Sequence, residues 1–233
     1  MSKDNEVYIK RIINELNKID YIRPDDIPNI DLYMDQVTTF MDEHLKACKR
    51  YEDDKMLTKT MINNYTKNNL LPPPDKKKYS KEHMLLLIFI YYMKSFLSIS
   101  DIQSIFGPLT ERFYHNNNSV NLEDIYTGIF SSVNEQMDSL TKDVIRRYMK
   151  SQDAFEEVKD EEDRKFLMTF SCICSLSFDV YVKKMIIERI IDQEIKAVEK
   201  EADKEAAKKE AAKKEAIKKE AAKKEATKKE TDK

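Results

Sequence analysis

Two glycines, six prolines, three cysteines and no tryptophan stand in 233 residues. So few turn-forming residues do not suit a sheet protein, and period-two alternation is missing as well, so an all-α chain with at most a small β-ribbon is expected. Cys48, Cys172 and Cys174 are odd in number and give no disulfide framework. The amino-terminal residues MSKDNEVYIK carry no apolar leader, so a reducing, cytoplasmic setting is expected. The longest apolar runs, 84 to 93 and 166 to 178, fall short of the roughly 20 residues that cross a bilayer. They read as buried helices, and no membrane partner is expected.

Catalytic and metal-binding patterns are sparse too. His44, His83 and His115 are scattered. Cys172 and Cys174 sit two apart in an apolar helix, about 200° around the axis from each other, and read as buried structural residues. There is no glycine-rich phosphate loop and no nucleophile motif, and Glu52-Asp53-Asp54 reads as a solvated loop. No enzyme activity, metal or cofactor is expected.

What the chain does have is an uneven charge. Its net charge is −2, yet between Lys55 and Lys81 seven lysines face a single acid, Asp75. Location matters more than the sum, and a basic segment of this kind suits a polyanion. Helical patterning surrounds it. Ile9, Ile12, Ile13, Leu16 and Ile19 mark a packing helix; an amphipathic helix follows near 31 to 47, a short helix after Thr58, and a long helix from Ser80 to about Leu97. Ser100-Asp101-Ile102-Gln103 has capping-box spacing, and Gly107-Pro108 is expected to stop the helix it opens. Farther on, Leu122, Tyr126, Ile129, Val133, Met137, Leu140, Val144 and Tyr148 predict one helix of about 28 residues, some 40 Å long. A polar break near 151 to 160 precedes an apolar helix from Glu161 to about Ile195. From Glu205 a Glu-Ala-Ala-Lys-Lys unit repeats. Its five-residue period walks around the helix and forms no apolar stripe, so a solvated spacer is expected.

The segment after Thr58 carries the functional reading. On a wheel of 57 to 69, Met61, Ile62 and Tyr65 gather on one side with Thr58 as N-cap. Thr60, Asn63, Asn64 and Lys67 take the opposite side at i, i+3, i+4 and i+7. A polar face is common on surface helices, but asparagine is a poor helix former. Its amide can pair bidentately with adenine, threonine can touch a base edge or a thymine methyl, and lysine can neutralise a phosphate.

The run from Leu57 to Pro73, with its trailing Leu70-Leu71-Pro72-Pro73, resembles the recognition helix of MerR-family regulators. Tyr79-Ser80-Lys81-Glu82 is similar to that family's entry into its third helix, and Leu97-Ser98-Ile99-Ser100-Asp101-Ile102 to its step into the fourth. The resemblance implies a winged helix-turn-helix. It puts Thr60, Asn63 and Asn64 on groove-facing positions, Tyr65 on the second tyrosine of a Tyr-Tyr pair, and Lys77 on the wing arginine of the pattern here reading Lys76-Lys77-Lys78-Tyr79. The loop from 48 to 55 is longer, and the wing between Pro74 and Tyr79 shorter, than in that family. To about residue 195 the chain also resembles a bacterial family of unknown function, number eighteen thirty-six.

The expected organisation is a packing helix and loop at 1 to 30, a MerR-like module at 31 to 107, a helical dimerisation or sensing region at 108 to 195, and the repeat tail at 196 to 233. The expected function is a homodimeric, sequence-specific transcription regulator binding double-stranded DNA, with RNA polymerase as a further partner. Thr60, Asn63, Asn64 and Lys67 face the groove; Lys59, Tyr65, Lys76, Lys77, Lys78 and Lys81 are phosphate candidates. Thr58 and Tyr79 complete the set. The rival is a protein-interaction adaptor that offers its basic face to an acidic partner.

Overall fold

A computed structural model describes residues 3–16, 21–115 and 119–197; the repeat from Glu205, and with it the spacer expectation, lies outside them. Among the described residues, eight α-helices and two short strands run in the order α1 (Lys3–Leu16), β1 (Leu32–Tyr33), α2 (Met34–His44), α3 (Lys59–Lys67), β2 (Lys78–Tyr79), α4 (Lys81–Met93), α5 (Ile99–Phe113), α6 (Leu122–Phe130), α7 (Val133–Gln152) and α8 (Glu161–Ile190). The chain is mostly helical. Its ribbon is two residues wide, with Leu32 opposite Tyr79 and Tyr33 opposite Lys78 in antiparallel register. Residues up to Ile186 make one compact unit. Those from Ile187 make a second, which carries the end of α8 and a π-helical turn, Ile191–Ile195.

Helix α4 is the centre of the first unit. Every residue from His83 to Ile90 is buried, which is why this helix is apolar all round instead of amphipathic. Ser80 starts it, its hydroxyl accepting the His83 N–H. Helix α6 and β2 lie against it, and Val37 and Met41 of α2, Ile62 of α3, Ile102 and Phe106 of α5, and Leu122 and Tyr126 of α6 complete the core, all 0 or 1% exposed. The Tyr126 hydroxyl donates to the Ile22 carbonyl at 2.6 Å, so the buried packing runs from Ile22 to α6.

Four sequence expectations change. Ser98, not Ser100, caps α5, accepting the Asp101 N–H at 3.1 Å. That helix does not stop at Gly107-Pro108 but passes through to Phe113; the segment lies at the surface, where water can satisfy the carbonyl left without the proline N–H. The predicted 28-residue helix is two. Ser131 and Ser132 separate α6, whose Leu122 and Tyr126 face the core, from α7, whose Tyr148 stacks on Tyr8 of α1 at 4.6 Å. Different partners demand different directions.

The largest change concerns α8. It has no buried residue; Cys172 is only half-buried and Cys174 is exposed, so the expected core helix with buried cysteines is not what forms. Over Glu161–Ile195 the helix is also long and apolar enough to cross a membrane, with an 18-residue window of mean hydropathy 1.3, contrary to the expectation from the shorter uninterrupted run. A run count misses this, because single polar residues interrupt an otherwise apolar stretch. A polar clasp joins α8 to α7. Arg147 donates to Asp143 at 2.6 Å, to the Ser175 carbonyl and hydroxyl at 3.3 and 3.2 Å, and to Asp179 at 3.3 Å.

Candidate nucleic-acid interface

Helix α3 is short, so both of its ends must be fixed by local chemistry. At its start the Thr58 hydroxyl accepts the Met61 N–H at 3.2 Å. At its end Asn69 turns left-handed, φ 54°. The N–H of Leu70 reaches the Tyr65 carbonyl at 2.8 Å and that of Asn69 the Thr66 carbonyl at 3.2 Å. This pair of bonds is a Schellman motif, and Leu70, fully buried, supplies its apolar contact. Gln103 of α5 donates to the Asn68 carbonyl and ties the same end down.

Between those caps Ile62 and Tyr65 are buried, while Thr60, Asn63, Asn64 and Lys67 are exposed together on the other side. Those four form one outward face. Thr58 is half-buried as the cap. Tyr65 and Tyr79 are 7 and 3% exposed, and burial pushes both phenols up. Their rings support the core, so neither offers a free surface to a phosphate.

The lysines divide as well. Lys59 pairs with Asp35 of α2, and Lys81 with Glu123 of α6 at 2.9 Å; both charges are offset inside the protein. Lys67, Lys76 and Lys77 are exposed and have no ion pair among the described residues. Lys76 and Lys77 form the tip of a two-residue turn closed by the Lys78 N–H on the Asp75 carbonyl at 2.8 Å. Both have positive φ, 45° and 66°, the mark of a type I′ hairpin turn that asparagine and glycine normally fill. Two lysines there are strained, and strain of this kind collects at functional sites.

Sequence reasoning missed Tyr33. It is 54% exposed on the strand paired with the turn, and the Lys78 ammonium lies 5.4 Å from its ring centroid. No local signal could have found it, since the pairing partner lies 45 residues along the chain. The turn rests on His83. The Ser80 N–H can only donate, at 3.0 Å to Nδ1, so the neutral ring carries its proton on Nε2, which lies 3.0 Å from the Tyr114 hydroxyl, and the ring also bonds the Pro73 and Pro72 backbone. Burial holds this imidazole below its ordinary value.

Beside the start of α3 the sign of the charge reverses. An open groove of about 820 Å³ is lined by Asp42, Glu43, Glu52, Asp53 and Asp54, with Lys49, Lys55 and Lys59 among them. Any polyanion approaching α3 meets repulsion at the helix start and attraction at Lys67 and the turn.

Residues 22–130 match the model of the family described as Domain of unknown function (DUF1836). No curated protein and no solved structure matches the chain. The DUF1836 match begins at Ile22, whose carbonyl Tyr126 holds, and ends at Phe130, the last residue of α6. Both α3 and the Lys76-Lys77 turn fall within the DUF1836 segment; α7 and α8 lie beyond it.

Proposed function

We propose that this chain is a sequence-specific DNA-binding transcription regulator of the cytoplasm, without enzyme activity, whose reading unit is a MerR-like winged helix-turn-helix. The observation that carries the reading is the outward face of α3. Two amides and a hydroxyl on a helix capped at both ends have the donor and acceptor pattern that reads base edges in a major groove. The Lys76-Lys77 turn, strained and unpaired, then serves as a phosphate contact, with Tyr33 and Lys78 behind it. The acidic groove sets the footprint: the duplex crosses the face from Thr60, at the edge of that groove, toward Lys67 and away from Glu52-Asp53-Asp54. Two-fold DNA sites call for two reading heads, so the working form is a homodimer, joined through the helices after 121. RNA polymerase is the further partner that regulation implies.

The test is a division of labour. Asn63→Ala or Asn64→Ala costs about 1 to 3 kcal/mol on the preferred duplex and relaxes choice at one or two base pairs. Lys77→Ala weakens all duplexes alike and lowers the salt slope by about 0.9. Sites are first selected from random duplex, then titrated at several salt concentrations. Equal binding of every duplex by both asparagine variants and the parent would sink the reading.

A further inference from the structure

Lys94 follows the last turn of α4, beside the chain that leads into α3. Its ammonium donates to the Met56 carbonyl at 2.9 Å and lies 5.2 Å from the centroid of the Tyr91 ring. The side chain is half-buried and has no ion pair among the described residues, and burial alone holds it below the ordinary 10.5. An ammonium has three donors, and this one makes a single hydrogen bond within the described chain. A partly desolvated cation is thus left with donors to give and no counter-charge, a state that an arriving anion relieves.

Lys94 stands on the wall of an open hollow of about 450 Å³, between the end of α4 and the residues that precede α3. That volume suits a small ligand. Tyr91 and Tyr92 line it with rings set edge to face, 5.5 Å between centroids, and the Tyr91 hydroxyl donates to the Met56 sulfur at 3.3 Å. Aromatic rings and a thioether make a wall for a flat apolar body. Burial pushes the Cys48 thiol up and Tyr91 up to about 12, so both wall groups keep their protons in neutral solution. Lys55, exposed and without an ion pair among the described residues, adds a second cation. The one acid on the wall, Asp54, accepts the N–H groups of Arg50 and Tyr51 through Oδ2, at 3.2 and 3.0 Å. The charge of the hollow is net positive.

Walls and charge together select the occupant. A bare oxyanion answers the lysines but leaves the rings uncovered. A neutral aromatic covers the rings but leaves Lys94 without a counter-charge. We propose that this hollow binds a small aromatic carboxylate, its ring against Tyr91 and Tyr92 and its carboxylate accepting from Lys94, with Lys55 near. The site goes beyond the DNA reading and does not rest on it, although Met56 lies two residues before the Thr58 cap of α3.

Benzoate, its neutral isostere benzamide, and inorganic phosphate are titrated into the full chain by calorimetry, and amide chemical shifts of isotope-labelled protein place the contact. Benzoate binds with a dissociation constant below about 1 mM and shifts the signals of Lys55, Met56, Tyr91 and Lys94. Benzamide and phosphate bind at least about tenfold more weakly, because each lacks half of the match. Lys94→Met weakens benzoate by a similar factor, whereas Lys94→Arg keeps most of the affinity. Lys55→Met, at an exposed position that the fold does not need, weakens it as well and decides the matter should Lys94→Met lose its helical circular dichroism. Absence of benzoate binding at about 10 mM, benzamide or phosphate binding as tightly as benzoate, shifts confined to another part of the chain, or unchanged affinity in both methionine variants overturns the proposal.

Discussion

At the scale of single residues the Lys76-Lys77 turn sets stability against binding. Left-handed backbone costs a lysine roughly 1 kcal/mol more than it costs glycine or asparagine. Replacing Lys76 with Asn and Lys77 with Gly is expected to raise the melting temperature while weakening duplex binding, read by thermal denaturation and by titration of one preparation. A drop in both would show that the lysines also support the fold. His83 gives a second expectation. Its folded pKa lies below the ordinary 6.5 because burial disfavours the cation, so the unfolded chain takes up the proton first. Stability is complete above about 6.5 and is lost as pH falls through the lowered folded value. Melting followed from about pH 8 to about pH 5 should fall in the lower part of that range, and the fall should shrink in His83→Gln. An unchanged slope in that variant would assign the acid sensitivity elsewhere.

At the scale of elements, the polar clasp between α7 and α8 has one centre. Arg147 and Arg146 hold the Asp143 carboxyl below its ordinary value, chiefly through the Arg147 hydrogen bond. Since the carboxylate form is the bonded one, the clasp is present above the ordinary pKa of 3.8 and loosens as pH falls through the lowered value. Arg147→Met removes the bonds to Asp143, Ser175 and Asp179 together. Amide hydrogen exchange at 165 to 180 should speed up in that variant, while α4 exchanges as in the parent. Equal rates at 165 to 180 would mean that the clasp does not hold the pair. Helix α3 depends on its ends, which Thr58 and Asn69 close, and on Ile62 and Tyr65 in the core.

For the whole molecule, the bond from Tyr126 to the Ile22 carbonyl closes the packed region on itself. A fragment of residues 21 to 131 is expected to melt cooperatively, since it keeps the buried residues of α2 to α6 and, among the described side chains before the second unit, loses only one buried one, Ser151. Tyr126→Phe leaves a buried carbonyl without its donor and should cost that fragment about 1 to 3 kcal/mol in a denaturant titration. A fragment without a cooperative transition would show that α1, α7 or α8 is required for folding.

Local chemistry determined what lies close in sequence. Thr58 and Ser80 read as caps because a hydroxyl satisfies a nearby N–H, and the polar face of α3 follows from 3.6 residues per turn. The predominance of helix followed from the scarcity of glycine and from helical spacing. Packing decided the rest. Tyr65 and Tyr79 fit a phosphate role by residue type, but their neighbours buried them. Lys59 and Lys81 counted toward a basic surface until Asp35 and Glu123, 24 and 42 residues away in the chain, paired with them. Tyr33 joined the turn only through strand pairing. The break at Ser131-Ser132 was hidden because one apolar stripe faces α4 before it and α1 after it. An apolar run such as that of α8 says that a face will be covered; only the tertiary structure showed that Leu167, Met168 and Leu176 are half-buried while Phe166, Phe170, Ile173 and Phe178 stay exposed.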